Sequence, residues 1–354
     1  MKAIKVSGQG HTTLVDNLAV PTLPSQEHIL VKVIAVALNP TDWKTAHMWD
    51  NDSSATVGCD YAGVVVEVGS SLKKPFRKGD RVWGFLHGCN PKQPDNAAFQ
   101  EYVLAKTEFV GHIPDNVSFE EAAPAGIAVI TIGQGLYQSL QLPWPDKPLE
   151  QKMPILIYGG SSAMGATGIQ FAKMSGFEVL TTCSPKNFDY VKSLGADKVF
   201  DYASPTVAAD IRAYTNDKLF YAWDTIGEHS APQICADALA SAAPDGQKLY
   251  YCTTIYTGPS PKFVRGDVVA SATLGYTVSG ESFEIAKFTV PAVPEDYEFL
   301  MKWLPVADRL FAEGRWRNHR PDVRSGIEGI LQGLDDLKMG RVSAAKLVYR
   351  IGEP

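Results

Sequence analysis

Apolar and polar positions form short blocks in the first third of the chain, separated by glycine and proline. Four blocks are rich in β-branched and aromatic residues: 29–38, 61–68, 80–85 and 100–104. Blocks of this length and composition are typical of β-strands, and Asn39-Pro40 stops the first of them. The pattern therefore predicts a compact β-domain, either a barrel or a partly open one.

The period of the pattern changes near residue 119. Segment 120–137 is rich in alanine and glycine with apolar residues at longer spacing, which predicts a helix interrupted near Pro124. A proline-rich connector follows at 142–154. The tail carries a second long helical pattern at 295–313 and a last strand at 346–350.

Between the connector and the tail, strands and helices alternate. The predicted strands are 155–158, 178–183, 198–202, 219–224 and 247–253, and the predicted helices are 165–175, 189–194, 208–215 and 232–240. Because parallel strands need crossover connections, this alternation predicts a parallel, doubly wound sheet. We therefore expect an α/β protein with two domains, a β-rich one formed by 1–125 and 285–354 and a doubly wound one formed by 126–284.

Composition and charge narrow the class of protein. The 354 residues are 45% hydrophobic and 20% charged, which suits a globular protein with a sizeable core. The net charge of −6 argues against binding to nucleic acid or to an anionic membrane. Five cysteines without a Cys-x-x-Cys pair indicate thiols in a reducing compartment, and the first residues lack the apolar stretch of a signal peptide. We expect a cytoplasmic protein.

The strongest motif is a glycine-rich turn, IYGGSSAMGATG at 157–168, between the first strand of the alternation and its helix. Small residues are needed at such a turn when the backbone approaches a pyrophosphate, which then meets the N–H groups of the helix N-terminus. Gly159 suits the tight turn, and Gly165 suits close packing of helix and strand. Ser162 and Ala163 stand where glycines are more usual, so the alternative is an ordinary turn of another α/β protein. The position of the motif at the start of four βα units favours a dinucleotide site.

The end of the second strand of this sheet indicates which dinucleotide binds. NAD enzymes place an acidic residue there for the ribose 2′-hydroxyl. This chain has Ser184, Pro185, Lys186 and Asn187 instead, and a hydroxyl, an ammonium and an amide suit a 2′-phosphate. We therefore predict NADPH as the cofactor. The alternative is that Lys186 is only a solvated residue at the start of a helix.

Several short motifs together resemble the medium-chain dehydrogenase/reductase superfamily, namely ALNPTDWK at 37–44, GCDYAGVVVEVG at 58–69 and GDRV at 79–82. A closer resemblance, to the trans-acting enoyl reductases of fungal polyketide assembly lines (the lovastatin type), is carried by YGGSS at 158–162, TCSPKNFD at 182–189 and FDY at 200–202. The resemblance covers nearly the whole chain. It implies a GroES-like β-barrel catalytic domain and a Rossmann domain that binds the dinucleotide.

The resemblance also identifies where zinc-dependent relatives hold their catalytic metal. Those positions are Asn39, Cys59 and Asp60 here, and one thiol with one carboxylate does not complete the tetrahedral site of a catalytic zinc. The cysteine-rich structural zinc lobe is replaced by a short loop in which His87 and Cys89 are too few ligands for a site. We therefore predict that the protein binds no metal. Without a Lewis acid, hydride addition to a C=C bond conjugated to a carbonyl is favoured over alcohol oxidation.

The resemblance implies two sets of site residues. The residues expected to bind the cofactor are Thr41, Asp42, Trp43 and Lys44 on the nicotinamide side, Ser161, Ser162, Ala163 and Met164 at the pyrophosphate, Ser184, Pro185, Lys186 and Asn187 at the 2′-phosphate, Tyr202 near the adenosine, Tyr251 and Cys252 near the nicotinamide, and Val342 and Ser343 as a closing contact. The residues expected to bind the acyl substrate are Val129, Ile130, Thr131, Ile132, Gly133, Gln134, Gly135 and Leu136 with Gly275, Tyr276, Thr277, Val278 and Ser279. Both substrate segments suit an apolar core equally well.

The catalytic proton donor stays open in the sequence. Tyr61, Tyr137, Lys44 or a bound water are the candidates, and Lys44 is the residue assigned a catalytic role, by reaching the ribose, a phosphate or the substrate carbonyl. The alternative for Lys44 is a surface lysine after a turn. Asp42 is expected to be a helix N-cap rather than an acid.

These observations predict an NADPH-dependent oxidoreductase of secondary metabolism. The resemblance implies an enoyl reductase acting on an α,β-unsaturated polyketide thioester that is held by the carrier domain of a pure or hybrid polyketide synthase. Two alternatives remain, a free-standing quinone or enone reductase and a non-catalytic NADPH-binding protein. We expect a monomer or a weak dimer. The basic cluster RWRNHR at 315–320 is the predicted docking patch for an acidic carrier domain, the alternative being a solvated face after a helix.

Overall fold

The computed structural model describes residues 1–8, 10–47, 54–256, 258, 262–285 and 288–354. The chain folds into two compact units, the first formed by residues 1–129 with 276–354 and the second by residues 130–275. The functional domains expected from the sequence, 1–125 with 285–354 and 126–284, stay a prediction. Among the described residues, no helix has both the length and the apolar character needed to cross a bilayer.

The N-terminal stretch of the first unit is mainly antiparallel strand. Its strands are β1 (Ala3–Val6), β2 (Thr12–Val15), β3 (His28–Ala37), β4 (Asp60–Val68), β5 (Arg81–Phe85), β6 (Tyr102–Lys106) and β7 (Val110–His112). The helices along this stretch are α1 (Pro40–His47), α2 (Phe119–Ala122) and α3 (Ala125–Ile132). The break between α2 and α3 lies at Pro124, as predicted, since proline removes an N–H from the helical ladder.

Strands and helices alternate in the second unit. Its strands are β8 (Pro154–Tyr158), β9 (Glu178–Cys183), β10 (Lys198–Asp201), β11 (Tyr221–Asp224), β12 (Leu249–Thr253) and β13 (Val268–Ala272). Its helices are α4 (Ala163–Met174), α5 (Phe188–Ser193), α6 (Val207–Tyr214) and α7 (Ala231–Ala238), with a π-helical segment at Gly133–Ser139 and a 3-10 turn at Pro185–Asn187.

The sheet of the second unit is parallel throughout, with the order β10-β9-β8-β11-β12-β13. The chain therefore winds outward from β8 in one direction and then returns to add β11 to β13 on the other side. This confirms the predicted doubly wound sheet and is the strand order of a dinucleotide-binding Rossmann fold. The direction reverses between β8 and β11, and ligands of such sheets bind beyond the carboxyl ends of the strands at this point.

The chain then returns to the first unit. The remaining elements are β14 (Phe283–Ile285), β15 (Phe288–Val290), α8 (Pro294–Ala312), β16 (Pro321–Ser325), α9 (Gly329–Lys338) and β17 (Lys346–Arg350), preceded by a 3-10 turn at Gly275–Ser279. The large sheet of this unit has the order β16-β17-β3-β4-β5-β7, and β6 also pairs with β3.

The strand pairing of the first unit decides between the barrel and the partly open β-domain that the sequence predicted. The ten-residue β3 pairs with β4 along one edge, while β6 (at 28–32) and β17 (at 35–37) share its other edge. At the two ends of the sheet, β7 has only three residues and β16 is half exposed. No described strand joins these two ends, so the first unit is an open sheet around an apolar core, which is the partly open form of the β-domain.

Candidate active site

The glycine-rich turn lies between β8 and α4, where the order of the sheet reverses. Gly159 follows the strand with a φ of +82°, and Ser162 caps the helix by accepting the N–H of Gly165 at 2.9 Å. A Cβ at Gly160 would lie 2.0 Å from Oγ1 of Thr181, and one at Gly165 would lie 2.3 Å from the carbonyl oxygen of Gly159. The turn has room only for glycine at these positions, which fits a backbone that a pyrophosphate must approach closely.

The four residues predicted for the pyrophosphate lie together at this turn. Ser161 and Ser162 precede α4, and Ala163 and Met164 are its first two residues. The first N–H groups of a helix have no intrahelical acceptor, so they suit an anion. The Ser162 hydroxyl also lies 2.8 Å from Oγ1 of Thr225, which ties the turn to the segment after β11. The roles of these residues stay a prediction.

The segment after β9 carries the residues predicted for the 2′-phosphate. Ser184 follows the last residue of β9, Lys186 is exposed, and Asn187 is buried. Tyr202, predicted near the adenosine, is half exposed just after β10, which pairs with β9. The structure thus places these side chains at the carboxyl ends of two neighbouring strands.

Sequence reasoning overlooked a carboxylate at the same edge. Asp201 ends β10 and is the register partner of Cys183, and its Oδ1 accepts the N–H of Ala203 at 3.0 Å. Burial, with a contribution from the Asp201 charge, raises the pKa of the Cys183 thiol to about 11. The position of Asp201 could have been predicted, because the third strand of a Rossmann sheet ends beside the second. A 2′-phosphate bound here must be attracted to Lys186 more than it is repelled by Asp201.

A second overlooked acid, Asp224, organises the end of β11. Its buried Oδ1 accepts the N–H groups of Ile226 and Gly227, each at 2.9 Å, and its Oδ2 accepts the hydroxyl of Tyr251 at 2.9 Å. Burial raises the pKa of this carboxyl. The hydroxyl of Tyr251 is therefore committed to Asp224, and its predicted neighbour Cys252 is fully buried.

The first predicted substrate segment is buried throughout. Residues 130–136 of the second unit run through the end of α3 into the π-helical segment. All of them are buried, including the polar Thr131 and Gln134. A Cβ at Gly135 would lie 2.6 Å from Nε1 of Trp223. In the first unit, the carbonyl of Val129 accepts the indole N–H of Trp303 at 2.8 Å. The segment is packed like a core, and its contact with an acyl chain stays a prediction.

The nicotinamide-side segment, Thr41 to Lys44, lies in α1. Asp42 was expected to be the N-cap of a helix, but it is the third residue of α1. Its Oδ2 accepts the N–H of Asn39, the residue before the helix, at 2.7 Å. The carboxylate therefore caps the helix from inside its first turn, which is why the motif resembled an N-cap. Trp43 and Lys44 are half buried, with the Lys44 ammonium 5.9 Å from the centre of the Trp43 ring.

Two residues predicted for different roles meet within the first unit. The hydroxyls of Thr41 and Tyr276 lie 2.7 Å apart, and the Tyr276 hydroxyl also lies 3.3 Å from Sγ of Cys59. The Tyr276 ring stacks on His87 with centroids 3.8 Å apart. Burial raises the pKa of Tyr276 well above its usual value and lowers that of His87 to about 3, so the phenol keeps its proton and the imidazole is neutral.

A buried polar network lies beside this cluster. The Lys346 ammonium donates to Oδ1 of Asn39 and lies 3.7 Å from Oδ2 of Asp60. Asn39 Nδ2 donates to the same Asp60 oxygen at 2.8 Å, and Oδ1 of Asp60 accepts the N–H of Ile127 at 2.7 Å. Lys346 and Asp60 are 4% and 0% exposed. Sequence reasoning missed Lys346, since its partners lie about 300 positions earlier in the chain.

Asn39, Cys59 and Asp60 stand at the three positions where zinc-dependent relatives hold their catalytic metal, and here they belong to the buried polar network and the cluster beside it. Asn39 and Asp60 bind each other and Lys346, while burial raises the pKa of the Cys59 thiol well above its usual value. A protonated thiol is a poor metal ligand. No group of three or more potential ligands is gathered in the described part of the chain.

Two candidate proton donors lie deep in the cores of their units. Tyr61 is 0% exposed, and its hydroxyl faces Gly84, where an added Cβ would lie 2.3 Å away. The Tyr137 hydroxyl lies 3.0 Å from Oγ of Ser175 and is also buried. Burial raises the pKa of both phenols, so each stays neutral and distant from bulk water. Of the predicted closing contact, Val342 packs partly against the core and Ser343 is exposed.

The buried carboxyls predict how stability depends on pH. Burial raises the pKa of Asp42 to about 7 and that of Asp60 to about 6, against roughly 3.9 in an unfolded chain. Between about pH 4 and 7 the folded state therefore binds more protons than the unfolded state. The free energy of unfolding then falls as the pH rises through this window, by at most about 1.4 kcal/mol per pH unit for each group. Asp42→Asn keeps an acceptor for Asn39 and should flatten this slope in urea titrations across the window. Equal slopes for both proteins would show that Asp42 ionises normally.

Known protein families match segments of both units. A family described as the alcohol dehydrogenase GroES-like domain matches residues 25–115, and one described as zinc-binding dehydrogenase matches residues 163–274. The chain is 41% identical to the trans-enoyl reductase resD of Aspergillus sclerotiorum, over 99% of this chain and 100% of that protein.

Solved structures share the fold at low sequence identity. The CurK enoyl reductase matches with a TM-score of 0.77 and 18% identity, over 99% of each chain. A mycobacterial protein solved as a complex with NADPH matches with a TM-score of 0.74 and 20% identity, over 99% of this chain and 100% of the other.

Proposed function

The chain belongs to the medium-chain dehydrogenase/reductase superfamily and, within it, to the trans-enoyl reductases, and from this membership we propose its reaction, cofactor and partner. The enzyme uses NADPH to reduce the C=C bond of an α,β-unsaturated polyketide thioester, which the acyl carrier domain of a polyketide synthase presents. The observation that carries the proposal is the full-length 41% identity to a trans-enoyl reductase, joined to a Rossmann turn that only glycine fits.

A bound nicotinamide would supply the hydride for the β-carbon of the substrate. The role of the protein is to stabilise negative charge on the thioester carbonyl oxygen. The paired hydroxyls of Thr41 and Tyr276 are hydrogen-bond donors suited to this role. Since Tyr276 stays protonated, it is a neutral donor that gains strength as the oxygen becomes negative. The proton for the α-carbon then comes from Lys44 or a bound water, because the Tyr61 hydroxyl packs against Gly84 and the Tyr137 hydroxyl is paired with Ser175.

The reaction is tested by following NADPH oxidation with three substrates, a crotonyl-type thioester, a quinone and a simple enone. The proposal expects turnover of the thioester at a higher kcat/KM than the other two. A preference for the quinone or the enone would favour a free-standing reductase instead. Binding of NADPH without turnover of any of them would indicate a non-catalytic protein.

The cofactor preference is tested at Lys186. We expect NADPH to bind at least about tenfold more tightly than NADH, a difference of about 1.4 kcal/mol. Because an exposed ammonium contacts the 2′-phosphate and not the 2′-hydroxyl, Lys186→Ala should weaken NADPH binding and leave NADH binding unchanged in fluorescence titrations. Exposed Lys192, on the following helix, provides the matched Lys→Ala control. Equal losses for both cofactors would place Lys186 outside the phosphate site.

The proposal also includes independence from zinc. Purified enzyme should contain no stoichiometric zinc, and treatment with EDTA should leave thioester reduction unchanged, because Asn39, Cys59 and Asp60 do not form a catalytic zinc site. Elemental analysis and activity before and after dialysis measure this. Activity that is lost with the chelator and restored by zinc would contradict it.

The cellular setting is proposed on the same basis. Each of the five cysteines is buried, and none forms a disulfide within the described part of the chain, which suits the reducing cytoplasm. We propose a monomer or weak dimer that meets its synthase in trans. The functional domains are proposed as 1–125 with 285–354 for the substrate and 126–284 for NADPH.

A further inference from the structure

A groove in the first unit lies outside the candidate active site. It has a volume of about 520 Å³ and runs between α8 and the segment that ends β7. Its apolar surface comes from Ile113, Pro114, Met301, Leu304, Pro305 and Ala312. An apolar groove beside a helix is the shape into which a partner helix places its apolar side chains.

A turn beside this groove is rich in basic residues, although the chain has a net charge of −6. The turn between β4 and β5 carries Lys73, Lys74, Arg77 and Lys78 within six positions. Lys73 and Lys74, which line the groove, are held by Glu108 and Asp308, each at 2.9 Å.

Arg77 and Lys78 are the remaining cations of this turn. Both are exposed, and in the described ranges neither has a carboxylate within ion-pair distance. Phe76, directly before them in the chain, stacks on the groove residue His112 with ring centroids 4.5 Å apart, which anchors the turn beside the groove. Two exposed cations next to an apolar groove are complementary to an acidic helix that also carries an apolar side chain.

A second cavity continues from the groove towards a predicted substrate segment. It has a volume of about 220 Å³, shares Lys73 and Glu108 with the groove, and reaches Ser279 and Glu281. Ser279 ends the 3-10 turn that contains Tyr276. Lys106 also lines this cavity and pairs with Glu281 at 2.9 Å. The cavity is therefore polar, with each of its two lysines paired with a glutamate, and it leads to the turn that contains Tyr276.

The docking patch predicted from the sequence, 315–320, fits a partner less well. Its aromatic residue Trp316 and its His319 are 2% and 3% exposed, so both belong to the core. Arg320 donates to the carbonyl of Ala344, and Arg315 lies 3.9 Å from Glu313. The cluster looked like an amphipathic binding patch because its aromatic residues stand among arginines, but the fold points them inward.

We propose that the groove, the turn at Arg77 and Lys78 and the second cavity together dock an acidic acyl carrier domain. An acidic helix of the carrier contacts Arg77 and Lys78 and places an apolar side chain in the groove. Its phosphopantetheine arm follows the second cavity past Lys73 and Lys106. This inference rests on the proposed function, since it names the surface that receives the carrier.

The test compares a carrier-bound enoyl thioester with the same acyl group on a short soluble thiol. The double variant Arg77→Glu/Lys78→Glu should raise the apparent KM for the carrier-bound substrate about tenfold and leave the KM for the soluble thioester unchanged. The increase should shrink in high salt, because exposed charges are screened. Lys147→Glu/Lys152→Glu, two exposed lysines in the connector of the second unit, makes the same change in net charge and should leave both values unchanged.

A variant of the groove itself separates shape from charge. Ala312 is exposed at the last residue of α8, so Ala312→Trp fills the groove without entering the core. It should raise the KM for the carrier-bound substrate and not that for the soluble thioester.

Three results would overturn the docking proposal. One is an equal effect of the charge reversal at Arg77 and Lys78 on both substrates, and another is no effect on either. The third is an effect confined to Arg315→Glu/Arg317→Glu, which would return docking to that patch. Failure of the wild-type protein to reduce the soluble thioester would instead contradict the proposed function, so the two failures are distinguishable.

Discussion

Lys346→Met is expected to lower the free energy of unfolding by about 3–5 kcal/mol. Lys346 is 4% exposed and provides the one ammonium that the structure records beside the buried carboxylate of Asp60. Methionine is unbranched like lysine and only one heavy atom shorter, so little packing is lost. What is lost is the charge that compensates Asp60 and the donor to Asn39. Urea unfolding at neutral pH, followed by tryptophan fluorescence, measures the loss.

The matched control is Lys302→Met, an exposed lysine of α8 in the same unit, which should change stability by less than about 0.5 kcal/mol. The double variant Lys346→Met/Asp60→Asn removes both charges, so it should recover part of the stability that the single variant loses. A single variant as stable as the Lys302 control would show that Asp60 needs no compensating charge. A double variant less stable than the sum of its parts would contradict the pairing.

The second unit was predicted well because its evidence is local. Each buried strand and the helix after it form a contiguous pattern, and the glycine-rich turn occupies twelve consecutive residues. The edge strand β13 was missed, since an edge strand keeps one side open to solvent and has no continuous apolar run. Four of its five residues, 269–272, are at least partly exposed.

The first unit was predicted less completely because its contacts join distant segments. The Thr41–Tyr276 pair spans 235 positions, and the Lys346–Asn39 pair spans 307. A lysine that follows two small residues near the C-terminus gives no local sign that it will be buried beside an aspartate. The short helix α1 was predicted only through Asp42 as its N-cap, two residues too late, because Asn39-Pro40 also marked the end of a strand.

Asp201 and Asp224 show where chemistry could have been predicted but was not. Both end strands of the Rossmann sheet, and such ends face the ligand site. An acid was expected only after the second strand, where NAD enzymes carry it. The acids that end the third and fourth strands have other partners. Asp201 accepts the N–H of Ala203, two positions further on, and Asp224 accepts the hydroxyl of Tyr251, which only the fold brings within reach.

Gly165→Ala is expected to weaken NADPH binding by at least about tenfold and to lower the free energy of unfolding by about 1–3 kcal/mol. Alanine favours a helix over glycine by about 1 kcal/mol, so helix propensity alone predicts the opposite sign for stability. The added Cβ would lie 2.3 Å from the carbonyl oxygen of Gly159 and 2.7 Å from Cα of Gly160. Both are backbone atoms, so relief of the clash must move the turn that we propose holds the pyrophosphate. Calorimetric titration with NADPH and urea unfolding measure the two effects.

Gly266→Ala is the matched control for the same methyl group in the same unit. An added Cβ there meets nothing within 4 Å, and the backbone is not in the left-handed region. We therefore expect this variant to bind NADPH like the wild type and to unfold at a similar urea concentration. If Gly165→Ala also retains its affinity while losing stability, the helix packs closely at Gly165 but the pyrophosphate lies elsewhere. If it retains both, the close approach at Gly165 can be relieved without displacing the turn, and the assignment of the turn to the cofactor loses its main structural support.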